Sequence, residues 1–420
     1  MAYKELKTLY YGNHDLYAEE YLRRFNSEDS IKIDFTIGDN QAFFLQNSEV
    51  LLLALKITKL NHAIEKLCSS LPGAALDQYS KKCLIDEIVL TNRIEGVHSS
   101  RREIGDALET LETQSFEKKG KHSRFIGFVN KYMKLFSSED IRLQESCDIR
   151  KLYDEIFLQE VLHENPSNLP DGTLFRKNSV SVYSDTGKEI HRGVLPESKI
   201  IESVDKALRF LNDDSVEELF RICIFHYFFE YIHPFYDGNG RIGRFIYSYG
   251  ISQNLCFLIS FKISETIKKN INAYYKAFKT CNDPRNLGDL TPFLMMQLTL
   301  LYSSMLELKT SLEERKATWM KYEKLVRNDY GNDRELGKLY SILIQASLFS
   351  ESGVSMKEIG SSMKCSAYLI KNMMTKIPES LIEIRKKGNS KYYNIDINVL
   401  NKRLLDESVR AIANPQGNAE

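Results

Sequence analysis

The chain has 420 residues, 43% hydrophobic and 27% charged, with 57 basic side chains against 57 acidic ones. This is the balance of an ordinary globular protein, long enough for two or three domains, and a formal net charge of zero excludes a global pull toward nucleic acid or anionic membrane. Cys68, Cys83, Cys147, Cys223, Cys256, Cys281 and Cys365 lack C-x-x-C spacing, which excludes a disulfide framework or zinc cluster; with no apolar segment in MAYKELKTLYYGNHDLY and no long apolar run, a cytoplasmic protein without membrane insertion is expected.

Residues 1 to about 45 show no clear period and are read as irregular or short-element structure. From about Asn47 the pattern turns helical, with Leu51, Leu52 and Leu55, then Leu84, Ile85 and Ile88, on i, i+3, i+4 spacings, and Pro72-Gly73 separating two helices. Further helices are expected over 101–113, 122–136, 147–163, 198–212, 215–232, 241–253, 268–280 and 289–326. One segment departs from this: Val180, Val182 and Tyr183, then Asp185-Thr186-Gly187, then Ile190 and Val194 place a turn cluster between two partly alternating stretches, which predicts a short hairpin. A lone hairpin needs a surface to pack on. Three short helices over 335–347, 355–364 and 366–377, followed by strands at 381–385 and 391–395, suggest a winged helix-turn-helix, and the tail after Ser408 is expected to be disordered. The fold class is mainly α.

The segment from Val216 to Arg244, VEELFRICIFHYFFEYIHPFYDGNGRIGR, concentrates the chemistry. A buried helix delivers His233 at its C-terminal end, and Pro234 forces the chain out of that helix. Asp237-Gly238-Asn239-Gly240 then turns backbone amides toward a common point, and Arg241 to Phe245 opens a new helix whose N-terminus adds an anion site. Arg241 and Arg244 supply guanidinium groups, Asp237 a carboxylate suited to Mg²⁺ on phosphate oxygens, and His233 a base for an attacking hydroxyl. The other histidines, His14, His62, His98, His122, His163, His191 and His226, are scattered and read as surface or packed side chains.

His233-Pro234-Phe235-Tyr236-Asp237-Gly238-Asn239-Gly240-Arg241-Ile242-Gly243-Arg244 resembles, position for position, the H-P-F-x-[D/E]-G-N-G-R-x-x-R motif of Fic-domain proteins. The resemblance implies transfer of AMP from ATP to a Ser, Thr or Tyr hydroxyl of a target protein, with His233 as general base and Asp237 holding Mg²⁺. It further implies that Gly238, Asn239 and Gly240 line an anion hole, that Arg241 and Arg244 contact phosphates, and that Phe235 points into the core. The hairpin at 179–194 then resembles the family's target-binding flap. Gly172 to Arg176 is similar to the element preceding that flap, with one extra residue, and a single proline, Pro196, follows where many members have two. Ala273-Tyr274-Tyr275-Lys276 resembles the segment beside the adenine pocket, which makes Tyr275 a candidate nucleotide contact; a core aromatic is the equal alternative.

Thr91-Asn92-Arg93-Ile94-Glu95-Gly96 fits the [S/T]-x-x-x-E-[G/N] motif of the family's autoinhibitory helix, which implies that Glu95 pairs with Arg244 and that ATP is held unproductively. The expected organisation is an N-terminal helical region with the inhibitory helix (1–115), a Fic helical core with a β-hairpin flap (116–305), a linker helix (306–332), a winged-helix domain (333–408) and a tail (409–420). Two rival readings stay open: a hydrolase that removes AMP using Glu95, and a nucleotide-sensing DNA-binding regulator. The winged helix carries Lys357, Lys364, Lys371, Lys376, Arg385, Lys386, Lys387 and Lys391; dimerisation or target docking is favoured for it over DNA binding.

Overall fold

A computed structural model describes residues 3–12, 14–113, 124–136, 140–183, 189–387 and 390–413. It is mainly α. The first elements are helices α1 (Leu6–Gly12) and α2 (His14–Phe25), strands β1 (Ser30–Ile37) and β2 (Asn40–Leu45), and helices α3 (Ser48–Ser69), α4 (Gly73–Ile94) and α5 (Arg101–Thr113). Next come α6 (Ile126–Met133), α7 (Ser146–Glu164), the hairpin β3 (Ser181–Tyr183) and β4 (Glu189–Arg192), α8 (Glu197–Leu211), α9 (Glu218–Ile232) and α10 (Asn239–Asn254). Then follow α11 (Phe257–Ser260), α12 (Ile263–Lys269), α13 (Ile271–Asn282) and the long α14 (Thr291–Tyr330). The chain closes with α15 (Arg334–Phe349), β5 (Val354–Ser355), α16 (Met356–Met363), α17 (Ala367–Met374), β6 (Ile382–Lys387), β7 (Ser390–Ile395) and α18 (Ile397–Ala413). No described helix is long and apolar enough to cross a membrane.

Two compact units divide the chain: residues 1–62 with 83–306, and residues 63–82 with 307–420. The centre of the first is α9, apolar around its whole circumference and buried from Leu219 to Phe229, as a helix surrounded by other elements must be. It packs against α8 and α10. Phe235 and Phe175 continue that core beyond the end of α9. In the second unit the sheet has the order β5-β7-β6, all antiparallel, and covers a core built from Leu339, Leu343, Ile359, Ile370, Leu381 and Ile395.

Residues 1–45, read as irregular or short-element structure, form the short elements α1, α2 and a hairpin with Ile37 opposite Asn40, because Ile33, Phe35 and Ile37 alternate onto a buried face before Gly38 turns the chain at φ 58°. Two elements differ from expectation. The helix expected over 268–280 is two, α12 and α13, broken at Asn270, which sits at φ −120° between them. Helix α18 enters the stretch where disorder was expected: Asp396 accepts the N–H groups of Asn398 and Val399, starting the helix, and Leu400 buries against the core. The hairpin turn 184–188, part of the helix expected over 122–136, His122 and the motif Asn414 to Asn418 lie outside the described residues.

Candidate active site

Helix α9 ends at His233 because His233 takes up a left-handed backbone, φ 53° and ψ 63°, while its N–H still donates to the Phe229 carbonyl at 3.0 Å. Such a conformation costs a non-glycine residue roughly 1–3 kcal/mol and persists only where neighbours impose it. They do so here through Arg176, whose Nε donates to the His233 carbonyl at 2.8 Å. Burial pushes the His233 imidazole down to about 4, against the Glu95 carboxylate, which raises it. At neutral pH the ring is therefore uncharged and able to take a proton.

The loop after His233 is tied from within. Asn239 Oδ1 accepts the Phe235 N–H at 2.9 Å and its Nδ2 donates to the Phe235 carbonyl at 2.8 Å, a two-point brace that closes the turn. The ring of Phe235 stacks on Tyr153 at 3.9 Å and pins the brace to the core. Gly238 sits at φ 82°, where a side chain would be strained. Helix α10 begins at Asn239, so the N–H groups of Asn239, Gly240 and Arg241 lack helical acceptors and form the positive end of the helix dipole. What Asn239 offers an anion is thus its backbone, since its side chain is committed to Phe235.

Asp237 is half-exposed; its Oδ1 accepts the Gly238 N–H at 2.6 Å and lies 3.7 Å from Arg241 Nη2. Arg241 itself is fully buried, held from behind by the Glu160 carboxylate at 2.5 Å with its guanidinium 4.3 Å above the Phe157 ring. Burial raises Glu160 above the ordinary carboxylate range even with that partner. Among the described residues Arg241 Nε and Nη2 have no hydrogen-bond partner, which leaves donors for a further acceptor.

Arg244 is engaged by α4. Its Nε donates to Thr91 Oγ1 at 2.7 Å, and its Nη2 donates to the Thr91 carbonyl at 3.2 Å and to Glu95 Oε1 at 2.7 Å. Desolvation against the loop opposes ionisation of Glu95, whose side chain stays 27% exposed, but the charge and hydrogen bond of Arg244 win and hold the carboxyl below its usual range. The Glu95 carboxylate lies directly over Gly240: a Cβ there would stand 2.2 Å from Oε1. A carboxylate thus covers the same helix terminus that an anionic ligand would use.

The structure brings His233, Asp237, Gly238, Asn239, Gly240, Arg241, Arg244, Thr91 and Glu95 together. Tyr275 is half-buried on α13, its ring 5.8 Å from that of Tyr274, whose hydroxyl meets His226 Nε2 at 3.0 Å. The hairpin pairs Ser181 with Arg192 and Val182 with His191, and docks on the end of α9 through His191, whose Nε2 contacts the Tyr231 carbonyl at 2.6 Å. Two residues escaped the sequence reading, Glu160 and Glu230, and Arg176 was named there only as the end of the element before the hairpin. Glu230 carried a signal, an acid inside the apolar run IFHYFFEYI; burial pushes it up to about 8.

The sequence model of the Fic/DOC family matches residues 146–249. Over 98 residues the chain is 31% identical to the Aquifex aeolicus protein named "Probable protein adenylyltransferase", covering 23% of this chain and 29% of that one. Over 224 residues it is 24% identical to the Protein adenylyltransferase Fic of Drosophila ananassae, covering 53% and 41%. The chain thus spans less than half the length of these curated relatives. A Fic family protein from Desulfovibrio desulfuricans superposes with a TM-score of 0.49 at 18% identity, over 83% of this chain and 96% of that one. His233, the loop, Arg241, Arg244, Arg176 and Glu160 all fall inside the matched Fic/DOC segment, whereas Thr91 and Glu95 lie outside it.

Proposed function

We propose that this chain transfers the AMP part of ATP to a Ser, Thr or Tyr hydroxyl of a protein, another chain or itself, and that Glu95 restrains the reaction by occupying Arg244. The observation that carries the reading is the meeting, around one short loop, of His233, a helix N-terminus whose amides lack helical acceptors, and an Arg244 bound by the Glu95 carboxylate that covers that terminus. As the target oxygen bonds to the α-phosphorus, His233 takes the hydroxyl proton, the bond from that phosphorus to the bridging oxygen breaks, and pyrophosphate leaves. The amides at residues 239–241 and the guanidinium of Arg244 offset charge on the phosphates. Asp237 fits a Mg²⁺ site, since one half-exposed carboxylate is what that ion uses when water and phosphate oxygens complete its shell. Bound there, Mg²⁺ would supply charge neutralisation across the phosphate oxygens.

Restraint follows from competition: the Arg244 Nη2 that donates to Glu95 is not available to a terminal phosphate in the same place. The hairpin β3–β4 offers its edge to an extended target segment, which would present its hydroxyl near His233. We read residues 333–408 as a winged-helix module for target docking or self-association, in preference to DNA.

The test uses Glu95→Gly protein, Mg²⁺, a cell lysate and ATP labelled either at the α or at the γ phosphorus. Label reaching protein from the α position alone supports AMP transfer. Label from the γ position would mean phosphorylation and overturn it, and label from neither would favour the hydrolase reading.

A further inference from the structure

We propose that Arg176 is a positioning residue that holds the backbone of His233 and the stem of the β3–β4 hairpin in a single geometry. Arg176 is fully buried, yet among the described residues no acidic side chain pairs with it. A buried cation without a counter-ion is unfavourable unless other groups are aimed at it. Here backbone carbonyls are. Nε donates to His233 O at 2.8 Å, Nη1 to Asn178 O at 2.6 Å, and Nη2 to Val194 O at 2.9 Å and Ile232 O at 3.4 Å. The N–H of Arg176 itself donates to Pro234 O at 3.2 Å, so one residue collects the carbonyls of three consecutive residues across the bend.

The four guanidinium acceptors form two pairs. Ile232 and His233 belong to the end of α9, where the left-handed turn of His233 aims its carbonyl at Nε. Asn178 and Val194 flank the hairpin, one before β3 and one after β4. Between them, Gly193 passes so close that a Cβ would stand 2.4 Å from Arg176 Nη2 and 3.0 Å from His233 Cβ. The Val194 N–H also donates to Ile232 O at 3.1 Å, closing the junction. Without the planar fork of the guanidinium, no other donor among the described residues holds the His233 carbonyl, and the backbone is free to leave the left-handed region and carry the imidazole with it. Lysine keeps the charge but cannot reach four divergent acceptors.

The activity arm of the test rests on the AMP-transfer reading. In Glu95→Gly protein, kcat and KM for ATP are compared for the parent, Arg176→Lys, Arg176→Ala, and Arg176→Ala with added guanidinium ion. A displacement on the order of 1 Å costs about 10² in rate, so both substitutions should lower kcat about 10²-fold. KM for ATP should stay within about threefold, because the phosphate-binding amides are untouched. Guanidinium should restore Arg176→Ala, which loss of fold would not allow. Unchanged kcat in an active parent, or a loss confined to KM, overturns the proposal.

An inactive parent would count against the AMP-transfer reading alone. The second arm decides the proposal in that case: the His233 ring is titrated by NMR in wild-type and Arg176→Lys protein, with His233→Ala assigning the signal. Lysine preserves the cation that faces His233 beside Glu95 and His191, so a rise in the imidazole pKa from about 4 reports displacement of the ring from its buried place. No change would overturn the proposal whatever the activity.

Discussion

At the scale of the residue, the account turns on a histidine that burial keeps neutral and an arginine that a carboxylate keeps occupied. Because Glu95 raises the His233 pKa from the level that burial sets, Glu95→Gly should move it lower still. The acid limb of kcat/KM against pH, which reports groups in the free enzyme, should then fall below the ordinary histidine value of about 6.5; a limb at or above it would show that His233 is not the buried base described here. The motif residues were legible because their types alone carry the chemistry: a histidine, a carboxylate, glycines and guanidinium groups within twelve positions. Glu160 was not, since nothing in the local sequence says that it would meet Arg241 81 positions away, and Arg176, named with the element before the hairpin, gave no sign that it would meet the His233 carbonyl 57 positions away.

At the scale of the element, α4 presents Glu87 and Thr91 four residues apart on one helix face, and Glu95 follows in the turn just beyond its last residue, Ile94. Thr91 and Glu95 grip Arg244, while Glu87, fully buried, accepts the Ser264 N–H at 3.0 Å and the Ser264 hydroxyl at 2.6 Å in the first turn of α12. Glu87 is thus a second fastening of the same helix, one turn further from the loop. Glu87→Ala would leave the buried Ser264 N–H unsatisfied, a loss of about 1–3 kcal/mol. Hydrogen exchange of the peptide spanning residues 88–97 should quicken by about 5- to 150-fold, as that energy implies, and AMP transfer should rise in otherwise wild-type protein but not in Glu95→Gly. Slow exchange unchanged from wild type would mean that Thr91 and Glu95 suffice. The helices of the core were legible from their apolar period, whereas the β1–β2 hairpin was missed although Ile31, Ile33, Phe35 and Ile37 alternate. The aromatic residues spread through the first 45 positions obscured that pattern, and the break at Asn270 has no proline or glycine to announce it.

At the scale of the whole molecule, the first unit keeps several carboxyl groups away from water, and this couples its stability to pH. Burial raises Glu230 from its ordinary 4.5 to about 8, so the folded chain holds a proton there that the unfolded chain releases. The stability carried by that protonated carboxyl is full below about 4.5 and is lost as pH rises toward 8. Glu230→Gln, neutral at every pH, should therefore flatten the fall in Tm between pH 5 and 8 and melt higher than wild type at pH 8. An equal fall in both proteins would place the Glu230 carboxyl in water. The division into two units could not be read from any linker, because α3, α4 and α14 run through the boundaries as continuous helices.

The central claim is that His233 transfers AMP and that Glu95 withholds Arg244 from the nucleotide. Wild-type, Glu95→Gly and Glu95→Gly/His233→Ala proteins should be incubated side by side with α-labelled ATP and Mg²⁺, with and without lysate, and resolved by denaturing electrophoresis. The account predicts strong labelling in the single variant, little in wild type, and a loss of about 10²–10⁴ in the double variant. Equal labelling of wild type and Glu95→Gly would contradict the restraint, and labelling that survives loss of His233 would contradict the chemistry.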